Sequence, residues 1–561
     1  MHKLGWGTWA ACSVLVLSAC KGTTLDLGQP PTSAASPLPV IVSRGQDSTL
    51  GVDGVFVEAM STSLQPAPWQ YEFFAMHPDA GQYLADLNPQ HVHVQALDEA
   101  LPWQGQGMGA ADWDAGMLDT MMTSILQVDG DPLFQIMVPP AVGDFGSTPP
   151  DPAKVALFAT YCGYLVQYFN LGYFYYPDAT GTKIENPNGP QPIRWWAILG
   201  DWDTTYALTG DQYATIYNAA VQTMLAANAD SGVPLSFSSF EYGNLVNNSL
   251  YDQYLESFLQ NVMVQADVVS LHMFLTGDRT EPDQEALESV KTFTADLDDT
   301  FARLSQSASA ADAQVWVTES NVNSKAPNGS GFVNDLRGTD AFFAAYRPYL
   351  FSQLGKHKNR VLYHWDFTAG NIEGGTNPDT DPQNAEVDFT TGNRLISYWV
   401  DYWLANLFPV ATLPAGTSLY ILPLETPGDA GVVPLDSLAQ ANDNVEVLAV
   451  QNSTTQSVVV MLVDIAPDGV EQEGGSTDFD GHGEPRSFVV DVSQLGISFA
   501  SGRIRVISNP NVDNGPSAPT TPVDLSKESA IPVTLPGYGV AFLTLETTVA
   551  SGDGGPSDGG T

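Results

Sequence analysis

The chain has 561 residues, 43% of them hydrophobic and 10% aromatic, which is more than one ordinary core requires. Its 20 Lys and Arg stand against 64 Asp and Glu, a formal net charge of −44 at pH 7. That charge argues against nucleic acid or an anionic membrane surface as partner, because both would be repelled.

His2 and Lys3 precede an apolar stretch that ends Leu17-Ser18-Ala19-Cys20. This is a positive n-region, a short h-region and a small-residue cleavage site, too short to span a bilayer comfortably. Leu17-Ser18-Ala19-Cys20 resembles the bacterial lipobox. The resemblance implies a lipoprotein signal over 1–20, lipid on Cys20, and membrane attachment through that lipid only. Lys21 in place of Asp implies the outer membrane or cell surface. The plainer alternative is a secretory signal in which Cys20 is incidental. Residues 21–50, rich in Pro, Ser, Thr and Gly, read as a flexible tether. Cys162 would then be the one thiol left, within the apolar run Phe158–Val166, and reads as a buried small hydrophobe.

Between 51 and 408, apolar strand-like runs alternate with amphipathic ones. The strand candidates are Val55–Ala59, His91–Gln95, Pro132–Val138, Ile193–Leu199, Pro234–Phe240, Val268–Phe274, Gln314–Glu319 and Val361–Phe367. Trp113, Met117, Met121 and Ile125 repeat at helical spacing between the second and third of these. Tyr213, Ile216, Tyr217, Ala220 and Met224 do so after the fourth. Asp112 and Asp211 supply N-cap material. Alternation of this kind implies parallel strands with helical crossovers, and the count fits a closed (β/α)8 barrel. A doubly wound open sheet is the rival, but no Gly-rich phosphate loop follows the first strand. Over 409–548 helical periodicity stops. Val445–Gln451, Ser457–Val463, Phe488–Val492, Ile504–Ile507 and Gly539–Leu545 predict an antiparallel β-sandwich, followed by a disordered tail over 549–561.

In such a barrel, chemistry sits at the C-terminal ends of the strands. The seventh predicted strand ends in Glu319, the fourth in Gly200-Asp201-Trp202-Asp203, the sixth carries His272, and the eighth His364, Trp365 and Asp366. Two carboxylates facing each other across an aromatic-walled mouth are what glycosidic cleavage needs, about 5–5.5 Å apart in retaining enzymes.

Three segments carry a resemblance to glycoside hydrolase family 39, the retaining β-xylosidases and α-L-iduronidases. They are Ala111–Asp119 followed by Asp131–Gln135, then Ser270–Phe274, then Val315–Asn321. The resemblance spans roughly residues 51–548. It implies a (β/α)8 barrel with a β-sandwich, a carbohydrate substrate, no cofactor, and Glu319 as nucleophile. The family's Trp-Asn-Glu-Pro at the fourth strand is here Leu199-Gly200-Asp201-Trp202, which makes Asp201 the acid/base, one methylene short, and removes the supporting amide at 200. The family's Arg-x-His is replaced by His93-Val94-Gln95. Asp203 and Glu241 are alternative acids, and His93, Gln95, Trp202, His272 and Trp365 are candidate substrate contacts.

No metal site is expected. His91 and His93 point the same way from one strand but have no placed third ligand. Asp379 with Asp381, and Asp478 with Asp480 and Glu484, lack the spacing of a calcium loop. Two functions stay open: a retaining glycosidase, or a barrel that has lost its acid/base and serves as a surface glycan binder or scaffold.

Overall fold

A computed structural model describes residues 36–44, 59–64, 73–74, 76–95, 101–103, 107–127, 130–146, 149–243, 250–276, 281–323, 336–355, 360–365, 367–368, 385–428, 431–435, 445–467 and 483–547. The signal sequence, Cys20, most of the tether, the C-terminal tail, Asp366, Asp379, Asp381, Asp478 and Asp480 lie outside the described residues.

The first strand, β1 (Leu38–Val42), falls where the tether was expected, and corrects that boundary. Its alternating apolar residues bury Val40 and Val42 fully, and so small a run has no reason to stay solvated. The barrel strands follow as β2 (Ala59–Leu64), β3 (Val92–Gln95) and β4 (Pro132–Ile136). A small hairpin, β5 (Tyr173–Tyr175) and β6 (Lys183–Glu185), precedes β7 (Trp195–Ile198). The ring is completed by β8 (Ser236–Tyr242), β9 (Val268–Thr276), β10 (Gln314–Asn323) and β11 (Arg360–His364). All neighbours run parallel, and β11 closes on β2. The first barrel strand begins where the predicted Val55–Ala59 ends. Pairing decides this, Ala59 with Val361 on one side and Thr62 with Val92 on the other, rather than local hydrophobicity.

Parallel strands covered by helices read as apolar runs because both faces are buried. Leu133, Trp195, Ala197, Val268, Trp316, Val361 and Tyr363 form one packed layer. Their neighbours Phe134, Trp196, Ile198, Val315 and Val317 join the larger core that includes the helices. The helix Gly210–Ala227 starts with a reciprocal cap between Thr209 and Gln212. It buries Tyr213, Ile216, Tyr217, Ala220 and Met224, the stripe read from the sequence.

Two sheets follow the barrel. One orders as β14 (Gly431–Pro434), β13 (Leu424–Gly428), β1, β17 (Arg486–Asp491) and β20 (Ile531–Leu535). The other is β12 (Leu419–Ile421), β15 (Val445–Asn452), β16 (Val458–Asp464), β21 (Gly539–Thr547), β18 (Phe499–Ile507) and β19 (Thr521–Pro522). The pairing is antiparallel except between β1 and β17, which run parallel. The helix Ala341–Gly355 joins sandwich to barrel. It is apolar all round, and Ser352 and Gln353 donate to Glu446 of β15, at 2.5 and 2.8 Å.

Candidate active site

Strict alternation along β10 would turn Glu319 outward, because Val317 packs in the outer core. A register shift between Val317 and Glu319 prevents this. The bulge lets both Thr318 and Glu319 face the barrel axis: Thr318 Oγ1 donates to Glu241 at 3.1 Å, and Glu319 Oε2 lies 3.3 Å from His272 Nδ1. A second shift, between Ser239 and Tyr242 of β8, turns Glu241 inward past Phe240. Past β7, Leu199 (φ 63°) and Asp201 (φ 48°) adopt left-handed backbone, as does Phe240 (φ 75°). Such conformations are costly for these residues and gather at sites that need a fixed direction. Here they place Asp201 at the rim, Oδ1 3.2 Å from His272 Nδ1 and its side chain 35% exposed.

His272 is thus the hub. Its Nδ1 meets Asp201 and Glu319, and one oxygen of each carboxylate and this nitrogen all lie within 4.8 Å of one another. Its Nε2 faces Glu241 at 3.6 Å. Glu241 accepts from Ser238 Oγ at 2.8 Å, from Thr318 and from Ser270. Gln95 donates to Glu319 Oε1, leaving Oε2 towards the histidine.

Burial works against charge on His272, but Glu319 and Asp201 beside it raise its pKa well above the usual imidazole range. Burial pushes the Glu319 carboxyl up to about 8; His272 opposes that, while Asp201 and Glu241 add to it. Burial also disfavours charge on Glu241, yet His272 and the Ser270 hydroxyl bring its pKa below the usual value.

Several expected contacts are corrected. Trp202 does not line the mouth. It is fully buried, stacked on Tyr213 at 4.8 Å and edge-on to Phe240 and Tyr242, and its Nε1 donates to Phe240 O. The left-handed turn at Asp201 directs the next side chain into the core. His93 is fully buried and its pKa falls to about 4 through burial, which makes it a neutral packing residue below the site. Glu241 is no rim acid, since it is sealed under His272. Asp203 accepts from Gly243 N at 3.0 Å, and burial raises its pKa; it braces the end of β8. Trp365 remains partly exposed, edge-on to Phe274 at 5.6 Å.

Two features escaped the sequence reading. Gln135 of β4 reaches across to Gly200, where an added Cβ would lie 1.3 Å from its Nε2. So a carboxamide from the neighbouring strand fills the space that a side chain at 200 would take, and the buried Gln inside an apolar run was the signal for it. Behind β10, Arg347 donates to Asp401 (2.9 Å) and Ser320 (2.5 Å). Asp401 holds His364 Nδ1 at 2.7 Å, and His364 Nε2 meets Asn321 at 3.2 Å. This buried network clamps the two residues after Glu319. Its members come from separate elements, and no spacing betrays it.

No family model and no curated protein matches the chain. Solved structures do. A family 51 α-L-arabinofuranosidase from Bifidobacterium longum aligns with TM-score 0.58 and 13% identity, over 91% of this chain and all of the other. The family 51 arabinofuranosidase of Thermotoga petrophila gives TM-score 0.55 and 12%, over 91% and 100%. A family 39 enzyme from Xanthomonas axonopodis pv. citri gives TM-score 0.53 and 13%, over 92% and 98%. The fold shared with these structures is a closed (β/α)8 barrel followed by a β-domain. At such identity the likeness reaches the barrel and its trailing β-domain and stops there.

Proposed function

We propose that the chain is a retaining glycoside hydrolase acting on an extracellular poly- or oligosaccharide, held at the cell surface by lipid on Cys20. One observation carries the reading: Asp201, past β7, and Glu319, on β10, converge on His272 of β9, with carboxylate oxygens inside 4.8 Å. Separations of about 5–5.5 Å serve double displacement, whereas about 6.5–9.5 Å leaves room for the water of an inverting enzyme. Glu319 attacks the anomeric carbon. Asp201, the more exposed of the two, protonates the departing oxygen and then activates water. Glu319 must shed its proton before attack, and the charge of His272 favours that. Gln95 holds its other oxygen still.

A second reading, a glycan-binding barrel, is favoured by the short Asp at 201. The test is turnover of a panel of aryl glycosides with good leaving groups by the protein and by Glu319→Gln. Such substrates need little acid assistance, so they report the nucleophile alone. Turnover abolished by Glu319→Gln supports the glycosidase. Absence of turnover with glycan binding intact in both proteins overturns it in favour of the binder.

A further inference from the structure

Three groups at the mouth bring one ligand atom each within 4.8 Å of one another. Nδ1 of His272 lies 3.2 Å from Asp201 Oδ1 and 3.3 Å from Glu319 Oε2. A single N–H could serve both only as a three-centre bond, off the ideal line to each. A tetrahedral ion bound at about 2.0–2.1 Å has ligand-to-ligand edges of about 3.3 Å, so both spacings suit one.

The other side of the ring is prepared in the same sense. His272 Nε2 is buried and faces the Glu241 carboxylate at 3.6 Å. Glu241 is fully buried and fixed by the hydroxyls of Ser238, Ser270 and Thr318. A carboxylate behind the remote nitrogen of a histidine holds the proton there and turns the lone pair of the near nitrogen outward, the usual arrangement behind a metal-bound imidazole. Among the described residues one further cluster of histidine and carboxylates exists, His364 with Glu386 and Asp401. There a cation is already built in, because Arg347 donates to Asp401 at 2.9 Å. Among the described residues no Arg or Lys is paired with Asp201, Glu241 or Glu319 at His272.

We propose that Asp201, His272 and Glu319 form a binding site for one divalent ion of the zinc type, with its fourth position open to the mouth. The ion would sit where the anomeric carbon must lie, so occupancy blocks sugar binding. The site itself stands on geometry and does not need the glycosidase reading; only the inhibition rests on it.

The experiment titrates the chelator-stripped full chain with Co²⁺ and follows the visible bands of four-coordinate cobalt. One ion per chain is expected, displaced by Zn²⁺ but not by Mg²⁺. Asp201→Asn, at the exposed rim and outside the packed core, should weaken binding about 100-fold, and Glu241→Gln about 10–100-fold through the outer shell. Absence of the bands, or bands unchanged in Asp201→Asn, overturns the proposal. In parallel, Zn²⁺ should stop aryl glycoside turnover and EDTA should restore it. Turnover untouched by saturating Zn²⁺ also overturns the proposal and leaves the glycosidase reading standing. Cobalt bands lost in Asp201→Asn, with no turnover of any glycoside, support the metal site and count against the glycosidase.

Discussion

The carboxamide of Gln135 fills the space that a side chain on Gly200 would need, 1.3 Å from the position of its Cβ. Gln135 lies on β4 and Gly200 in the turn just past β7, strands paired through Gln135 and Ala197, and neither residue is free to change alone. Gly200→Asn should therefore destabilise the protein and displace Gln135, whereas Gly200→Asn combined with Gln135→Ala should recover most of the loss. A double-mutant cycle in urea should give a coupling of about 1–2 kcal/mol. Additive effects would show that the carboxamide swings away at no cost.

Asp201 is assigned to proton transfer, so its removal should matter in proportion to the leaving group. With a poor leaving group, Asp201→Asn should lower kcat/KM by about 10²–10⁴. With a dinitrophenolate the first step should be nearly spared, and a burst should mark slow hydrolysis of the glycosyl-enzyme. Equal losses on both substrates would move the acid to another residue.

Asp119, on the helix Gly116–Gln127, is almost fully buried, and its Oδ2 accepts from Tyr168 at 2.7 Å. Burial raises its pKa from 3.8 to about 6. A carboxyl with a raised folded pKa binds its proton more tightly when folded. Its ionisation therefore costs nothing below pH 3.8, costs progressively more up to about 6, and imposes the full penalty above that. Asp119→Asn, which keeps an acceptor for Tyr168, should stabilise the protein by about 1–2 kcal/mol at pH 8, after allowance for solvent. The gain should shrink towards pH 4. Urea unfolding at the two pH values decides it, and a gain that grows on acidification would refute the assignment.

Arg347 and Asp401 are both buried, 2.9 Å apart. Asp401→Asn leaves the guanidinium without its counter-charge and should cost about 3–5 kcal/mol. The loss should reach the site, because His364 and Ser320, both held by this pair, flank Asn321. Thermal unfolding measures the first effect. A fall in kcat on aryl glycosides at a temperature where the variant stays folded measures the second.

Much of this was legible in the sequence. Apolar runs on a helical background gave the barrel, since strands buried on both faces leave no polar alternation to confuse them. Glu319 was visible as a polar residue ending such a run, and His272 as one within it. What pattern could not supply was direction. Trp202 looked like a sugar platform beside Asp201, but a left-handed φ at that aspartate sends the indole into the core. Glu241 looked like a loop acid until a bulge in β8 drew it inward. The convergence of Asp201, His272 and Glu319 joins three strands, and no motif spacing encodes such a meeting.

The strand Leu38–Val42 lies between β13 and β17, so residues that precede the barrel complete a sheet built from residues that follow it. A fragment beginning at 409 would expose two raw edges where β1 belongs, and should aggregate unless the missing peptide is supplied in trans. During synthesis the order matters as well. β1 must wait for most of the chain to be made before its neighbours β13 and β17 exist, so closure of this sheet comes late.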